Sequence, residues 1–230
     1  MDPISRVLEL LDKVQRKIEE LRNFVNGVLS KVPDVLGWVV DRFLDAWNWM
    51  MGKLGEFWDW FTDKLSYAGN PFLLSSAAVD WKEKVGGPAV NLTRTLDDAN
   101  LAADDVWDGF GAGQYRQHLP GQREAMTSIA KDFADNISSA MSTMQIAIVA
   151  FWAGVIVAVI ALINGISAAT AEGVTIIGLP AVPATVVASI VIALAALGTG
   201  IWILNSQADS ARSTLASASS GVQHWPAFAS

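Results

Sequence analysis

Few side chains in this sequence could do chemistry, and their spacing does not assemble them. His118 and His224 stand far apart and are the only histidines, so neither has a sequence-local partner for acid–base or nucleophilic work. Asp97, Asp98, Asp104 and Asp105 gather oxygens that could hold a hard cation. A solvated helix end accounts for them more simply. There is no Cys, which excludes thiol catalysis, disulfides and zinc–thiolate sites. "GFGAGQ" (109–114) opens like a dinucleotide-binding fingerprint, but Gln114 stands where the third glycine belongs, and a helical pattern precedes it, not a strand. Metalloprotease, nucleophile-elbow and phosphate-loop motifs are missing. The expectation is a protein that is not an enzyme and uses neither cofactor nor metal. The formal charge of −7 also argues against a nucleic-acid partner.

The elements that carry these residues are all helical by pattern. Ile4, Val7, Leu11, Val14, Ile18, Leu21, Val25 and Val28 step by three and four, a heptad seam. That seam serves either a coiled-coil partner or, as favoured here, the next helix of the same chain. Asp34 opens that next helix, which runs to about Leu65 with a stripe of Leu36, Val40, Leu44, Trp47, Met51, Leu54, Trp58, Phe61 and Leu65. Val39, Phe43, Met50 and Phe57 widen the stripe beyond what one partner helix covers. Five tryptophans lie along it: Trp38, Trp47, Trp49, Trp58 and Trp60. Trp gathers where an apolar edge meets a wet one, at protein and membrane interfaces alike. The polar face is mixed and slightly acidic, which favours core or oligomer packing over lying flat on a membrane.

"YAGNPF" (67–72) breaks the chain. A third helix is expected from Leu73 or Ser76 toward Val106, kinked at "VGGP" (85–88). A fourth is expected from about Gln114, weakened at Pro120-Gly121, with Leu119, Met126, Ile129, Phe133 and Ile137 on one face.

Charge is distributed unevenly. Hydrophobic residues make up 52% and charged residues 17%, yet after Asp135 the only charged residues are Glu172, Asp209 and Arg212. Within that apolar rear lie "MQIAIVAFWAGVIVAVIALINGI" (144–166) and "ATVVASIVIALAALGTGIWIL" (184–204). Each is long enough to cross the roughly 30 Å hydrocarbon layer. A pair of membrane spans is the favoured reading; the other is a buried helical hairpin of a large soluble assembly. Ala150, Gly154 and Ala158, with Ala184–Ala188 and Ala196–Gly200, place small residues four apart, a spacing that lets helix backbones approach closely. The tip joining the spans holds Glu172, Gly173, Pro180 and Pro183, and "GVTII" within it could form a short extended tongue. Arg116, Arg123 and Lys131 before the first span and Arg212 after the second keep both ends on one side, so the tip is the part that crosses. The N-terminus carries no signal-type apolar core, so export, if any, is expected without a conventional cleaved leader.

Between the third and fourth helices sits "DDVWDGFGAGQY" (104–115). Trp107-Asp108-Gly109, set between two helices, resembles the turn of the WXG100 (ESX-type) helical hairpins, over about residues 72–140. That resemblance implies a Trp-x-Gly turn between antiparallel helices and a link to type VII secretion. The tyrosine signal that usually accompanies it is missing, because Tyr115 is followed four residues later by Leu119, and Tyr67 by Pro71. In this reading Gly109 ends the first helix with a positive φ, and Trp107 covers the ends of both helices. Long amphipathic helices beside one apolar hairpin are also similar in layout to helical pore-forming toxins of the cytolysin A type.

The expected architecture is all-α. It comprises a Trp-rich helical pair (1–66), a WXG-like hairpin (72–140), an apolar two-helix hairpin (141–208) and a polar tail (209–230). The expected function is a membrane-inserting, self-associating factor, membrane-associated and secreted in its leading form. Its partners would be the lipid membrane and either further copies or a helical protein. The rivals are a constitutive two-span membrane protein and a structural subunit of a secretion apparatus.

Overall fold

A computed structural model describes residues 3–33, 37–66, 69–97, 106–172 and 179–221. Every element is helical, and there is no strand among the described residues. Gly173 and the "GVTII" segment, Asp98, Asp104, Asp105 and His224 lie outside them. The helices are α1 (Pro3–Leu29), α2 (Gly37–Ser66), α3 (Pro71–Asp80), α4 (Gly87–Thr95), α5 (Phe110–Ser128), α6 (Asp135–Glu172) and α7 (Ala181–Gly221). Two π-helical segments, Trp81–Gly86 and Ile129–Ala134, join α3 to α4 and α5 to α6. The chain forms two compact units, Met1–Gly69 with Ile148–Leu204, and Asn70–Ala147 with Asn205–Ser230.

The first unit contains α1, α2 and the apolar stretches of α6 and α7. All eight residues of the α1 seam are buried or half-buried, and Leu10 joins them. On α2 the buried line is Phe43, Met50, Leu54, Phe57 and Phe61, while Leu44 is exposed. The expected stripe is therefore rotated toward the residues that had only widened it. The reason is that α2 has two neighbours. Met51, Leu54, Gly55 and Trp58 line a groove with Gln15, Ile18 and Arg22 of α1. Trp49, Lys53, Glu56, Phe57 and Trp60 line another with α7. The most buried line bisects the two contacts. The tryptophans take its margins: Trp38 and Trp49 are exposed, and Trp47, Trp58 and Trp60 are half-buried.

The second unit is built on an antiparallel hairpin. Its first arm starts at Asn70, whose side chain accepts a hydrogen bond from the Phe72 backbone N–H at 2.9 Å, with Pro71 in the first turn, where no N–H is needed. This start precedes the expected one at Leu73 or Ser76. The "VGGP" stretch does not interrupt the helix. Pro88 lacks the N–H that would bind the Lys84 carbonyl, and its ring crowds that carbonyl. The preceding turn widens to π geometry, with the Gly87 N–H donating to the Lys82 carbonyl five residues back. On the second arm, α5 begins at Phe110, ahead of the expected Gln114, and continues through Pro120.

The two π segments face each other in this hairpin. A side chain on Gly86 would meet Ala134 Cβ at 3.3 Å. A π turn adds one residue to its helix, so a single one would shift the facing register by a residue. Paired at one level, the two insertions cancel. Farther along, Arg123 Nε donates to the Leu96 carbonyl at 2.9 Å, and its guanidinium lies 3.4 Å from Asp97. Asp97 is thus an ion-pair partner.

Candidate functional site

The residues best placed to act on a partner belong to the apolar hairpin of α6 and α7. At about 1.5 Å per residue these helices, 38 and 41 residues long, measure roughly 57 and 61 Å. Each is thus nearly twice the length a bilayer core demands, and α7 continues through residues 209–221 of the expected polar tail. Neither has a polar face in its apolar stretch, so nothing in the composition says which side should turn inward.

Their seam is set by small residues. A Cβ on Gly154 would lie 3.1 Å from the Ala196 carbonyl and 3.5 Å from Gly200 Cα. One on Gly200 would lie 3.4 Å from Phe151 Cα and 3.8 Å from the Ala150 carbonyl. Ala150, Gly154, Ala196 and Gly200 therefore meet across one antiparallel crossing. Ala158 is fully buried. The Ala184–Ala188 pair is not part of the seam, since both residues face out.

The closest approach, by contrast, was not anticipated. A Cβ on Gly165 would sit 2.1 Å from Ser189 Cβ, so no side chain fits there. Ser189 is buried and donates its hydroxyl to the Val186 carbonyl at 2.6 Å, so its polar atom is satisfied within its own helix. Ala161, Gly165 and Ala169, and Ser189 with Ala193, also place small residues four apart, but the spacing within each helix does not say which of these positions meet.

At the tip, Thr185 Oγ1 donates to the Glu172 carboxylate at 2.6 Å. An acidic residue at a helix C-terminus opposes the dipole of that helix. Here the first turns of α7 offset this, because Thr185 brings the carboxylate near their positive end. Pro180 is exposed just before α7, and Pro183 is buried in its first turn, where the helix has no use for an N–H.

Away from the seam, the hairpin stays apolar on its open side. Val157, Val191, Ile192 and Trp202 are more than half exposed, and Val149, Ile160 and Leu194 are partly so. Half of the most apolar stretch of the first long helix is buried, and a third of that of α7. Trp152 is the exception in polarity: it is buried, and its indole N–H has no acceptor. Such an orphaned donor costs about 1–3 kcal/mol.

The Trp-Asp-Gly turn performs a local task. Gly109 has φ +106° and ψ −173°, a conformation open essentially only to glycine. It stands at the start of α5, which corrects the expectation that it ends the preceding helix. Trp107 packs on the first turns of α5: its ring lies 5.7 Å from that of Tyr115, and a Cβ on Gly111 would press against it at 3.3 Å. Its carbonyl accepts from Arg116 at 3.5 Å. The expected cover over both helices is thus seen, among the described residues, on the following helix only. Gly109 and Gly111 are thus required by backbone conformation and by the Trp107 ring. Gly113 is under no such requirement, because a Cβ there would meet nothing.

No protein-family model matches this sequence, and no curated protein or solved structure matches it.

Proposed function

We propose that this chain is a non-enzymatic membrane-inserting protein whose α6–α7 hairpin enters the bilayer, with lipid as its partner and self-association as its inserted state. The observation that carries this reading is the open side of α7, a helix of membrane-spanning length with two thirds of its most apolar stretch outside the protein core. Glu172 is the sole charge between Asp135 and Asp209, so moving the tip across a bilayer costs little compared with any other loop of the chain. The resemblance of Trp107-Asp108-Gly109 to the WXG100 turn adds secretion by a type VII route as the means of delivery, and the antiparallel hairpin of α3–α4 with α5 is the form that resemblance implies.

The described arrangement is best understood as the state before insertion. Lys53 and Glu56 of α2 are exposed where that helix runs beside Val187–Leu194 of α7, and Asp59 is exposed in the same turn, toward α1. Each such charge carried to the middle of a bilayer costs on the order of 3 kcal/mol. So α7 cannot span with α2 alongside it. A second reading, a two-span protein resident in the membrane from synthesis, draws on the same exposed face.

Expression without detergent, followed by fractionation and addition to dye-loaded phosphatidylcholine vesicles, separates these readings. Soluble protein that becomes resistant to alkaline carbonate extraction and releases dye is the expected result. Protein found only in membranes, without dye release, favours the resident two-span form. Soluble protein that leaves vesicles intact and unbound overturns the membrane reading.

A further inference from the structure

The helix seams of the first unit are unequally filled. Between α6 and α7 the backbones touch, and at Gly165–Ser189 not even a Cβ fits. Between α2 and α7 a groove of about 300 Å³ stays open, walled by Phe57, Val187, Ile190, Val191 and Leu194 and flanked by Trp49 and Trp60. A void lacks the dispersion contacts that a packed seam supplies. Of these two seams, α2–α7 is the one that parts with the smaller loss; the α1–α2 seam holds a groove of about 280 Å³, but Gln15, Arg22 and Asp59 share its lining.

From this contrast we propose that the α2–α7 groove receives one acyl chain of a membrane lipid, and that this chain starts the release of the α1–α2 pair while α6 and α7 move as one body. The proposal rests on the membrane-inserting reading and names the ligand and the order of events. The occupant follows from the chemistry of the walls. The only charges in the groove, Lys53 and Glu56, satisfy each other at 2.7 Å, leaving no net charge to recruit a phosphate or a charged peptide. The remaining lining is hydrocarbon and indole edge, which a saturated chain fills without an unmet hydrogen bond. The groove also opens beside the exposed Val191 and Leu194, on the face of α7 that would meet the bilayer first. A chain entering there replaces the contacts that α2 makes, so the hairpin never faces water alone.

The absence of cysteine makes the seam easy to lock. Lys53→Cys with Val191→Cys places one thiol on each wall, and both positions are exposed to a short bifunctional reagent that reductant cleaves. The expected result is that the linked protein inserts into phosphatidylcholine vesicles at least tenfold more slowly, and that reductant restores the rate of the unlinked pair. Vesicles with brominated acyl chains then identify the occupant, since bromine quenches indole on contact. Quenching at early times should fall by half or more in Trp49→Phe/Trp60→Phe and stay unchanged in Trp38→Phe. Equal insertion by the linked and unlinked forms overturns the parting of this seam while leaving the membrane reading in place. Equal early quenching in the two Trp variants overturns the acyl chain as occupant, in favour of a non-lipid ligand. If the unmodified chain never inserts, both readings fall together.

Discussion

Two antiparallel hairpins in this molecule use the same device at their seams and differ in surface charge and in the size of their core side chains. In the α6–α7 hairpin, glycine, alanine and serine bring the backbones together, and the outer faces carry valine, isoleucine and tryptophan. In the hairpin of α3–α4 with α5, Gly86 meets Ala134, and the surface mixes ion pairs such as Lys84–Asp80 and Arg123–Asp97 with exposed Phe72, Leu73, Leu92 and Phe110. The cores diverge as well. Among described residues, the buried hydrophobic positions of the second unit are all alanine except Leu119, whereas the first unit buries Phe43, Met50, Phe57, Phe61 and Leu162. Small residues at a seam therefore say how close two helices come, and nothing about their solvent. The charges turned away from the seam are what separate the two hairpins.

The contrast can be tested at its tightest point. Gly165→Leu should cost more than about 3 kcal/mol, beyond the usual range for overpacking, because neither backbone can yield to a side chain. Thermal unfolding by circular dichroism should show the loss. Gly198→Leu, in the same apolar helix but with nothing within 4 Å of its Cβ, is the control and should be within about 0.5 kcal/mol of the parent or better. Comparable losses in the two variants would mean the seam is not where the hairpin is tight.

A smaller effect is expected in the alanine-lined unit. Gly86→Leu should cost about 2 kcal/mol, since Ala134 sits at 3.3 Å and the facing π turns allow some adjustment. A loss matching that of Gly165→Leu would erase the difference between the two seams. The smallest change is at the turn. Gly109→Ala should cost about 1 kcal/mol through its positive φ, whereas Gly113→Ala, within α5 and unopposed, should stabilise by up to about 1 kcal/mol. Opposite signs at two glycines four residues apart are the result to look for in a urea titration.

Much of this was legible beforehand, for physical reasons. The α1 seam could be read because its apolar positions recur at alternating steps of three and four, although Leu10, beside that seam, is buried with it. Gly154, Ala196 and Gly200 could be read because small residues four apart share a helix face. The rotation of the α2 stripe could not, since a face wide enough for two partners does not say where the boundary between them falls. Neither could the Gly165–Ser189 contact, because each helix carries several small residues four apart and their spacing does not say which positions of the two helices meet.

By itself, the sequence determined the helical class, the two charge-free stretches of membrane-spanning length and the glycine needed at position 109. These depend on local periodicity, on chain length and on the energy of one residue's backbone. Only the tertiary structure decided which sides of α6 and α7 pack together. Helices that are apolar all round have no preferred face in water or in lipid, so packing against a neighbour must choose it. The same holds for the open groove beside α7. A void belongs to no residue, and it exists only once two helices have been set side by side.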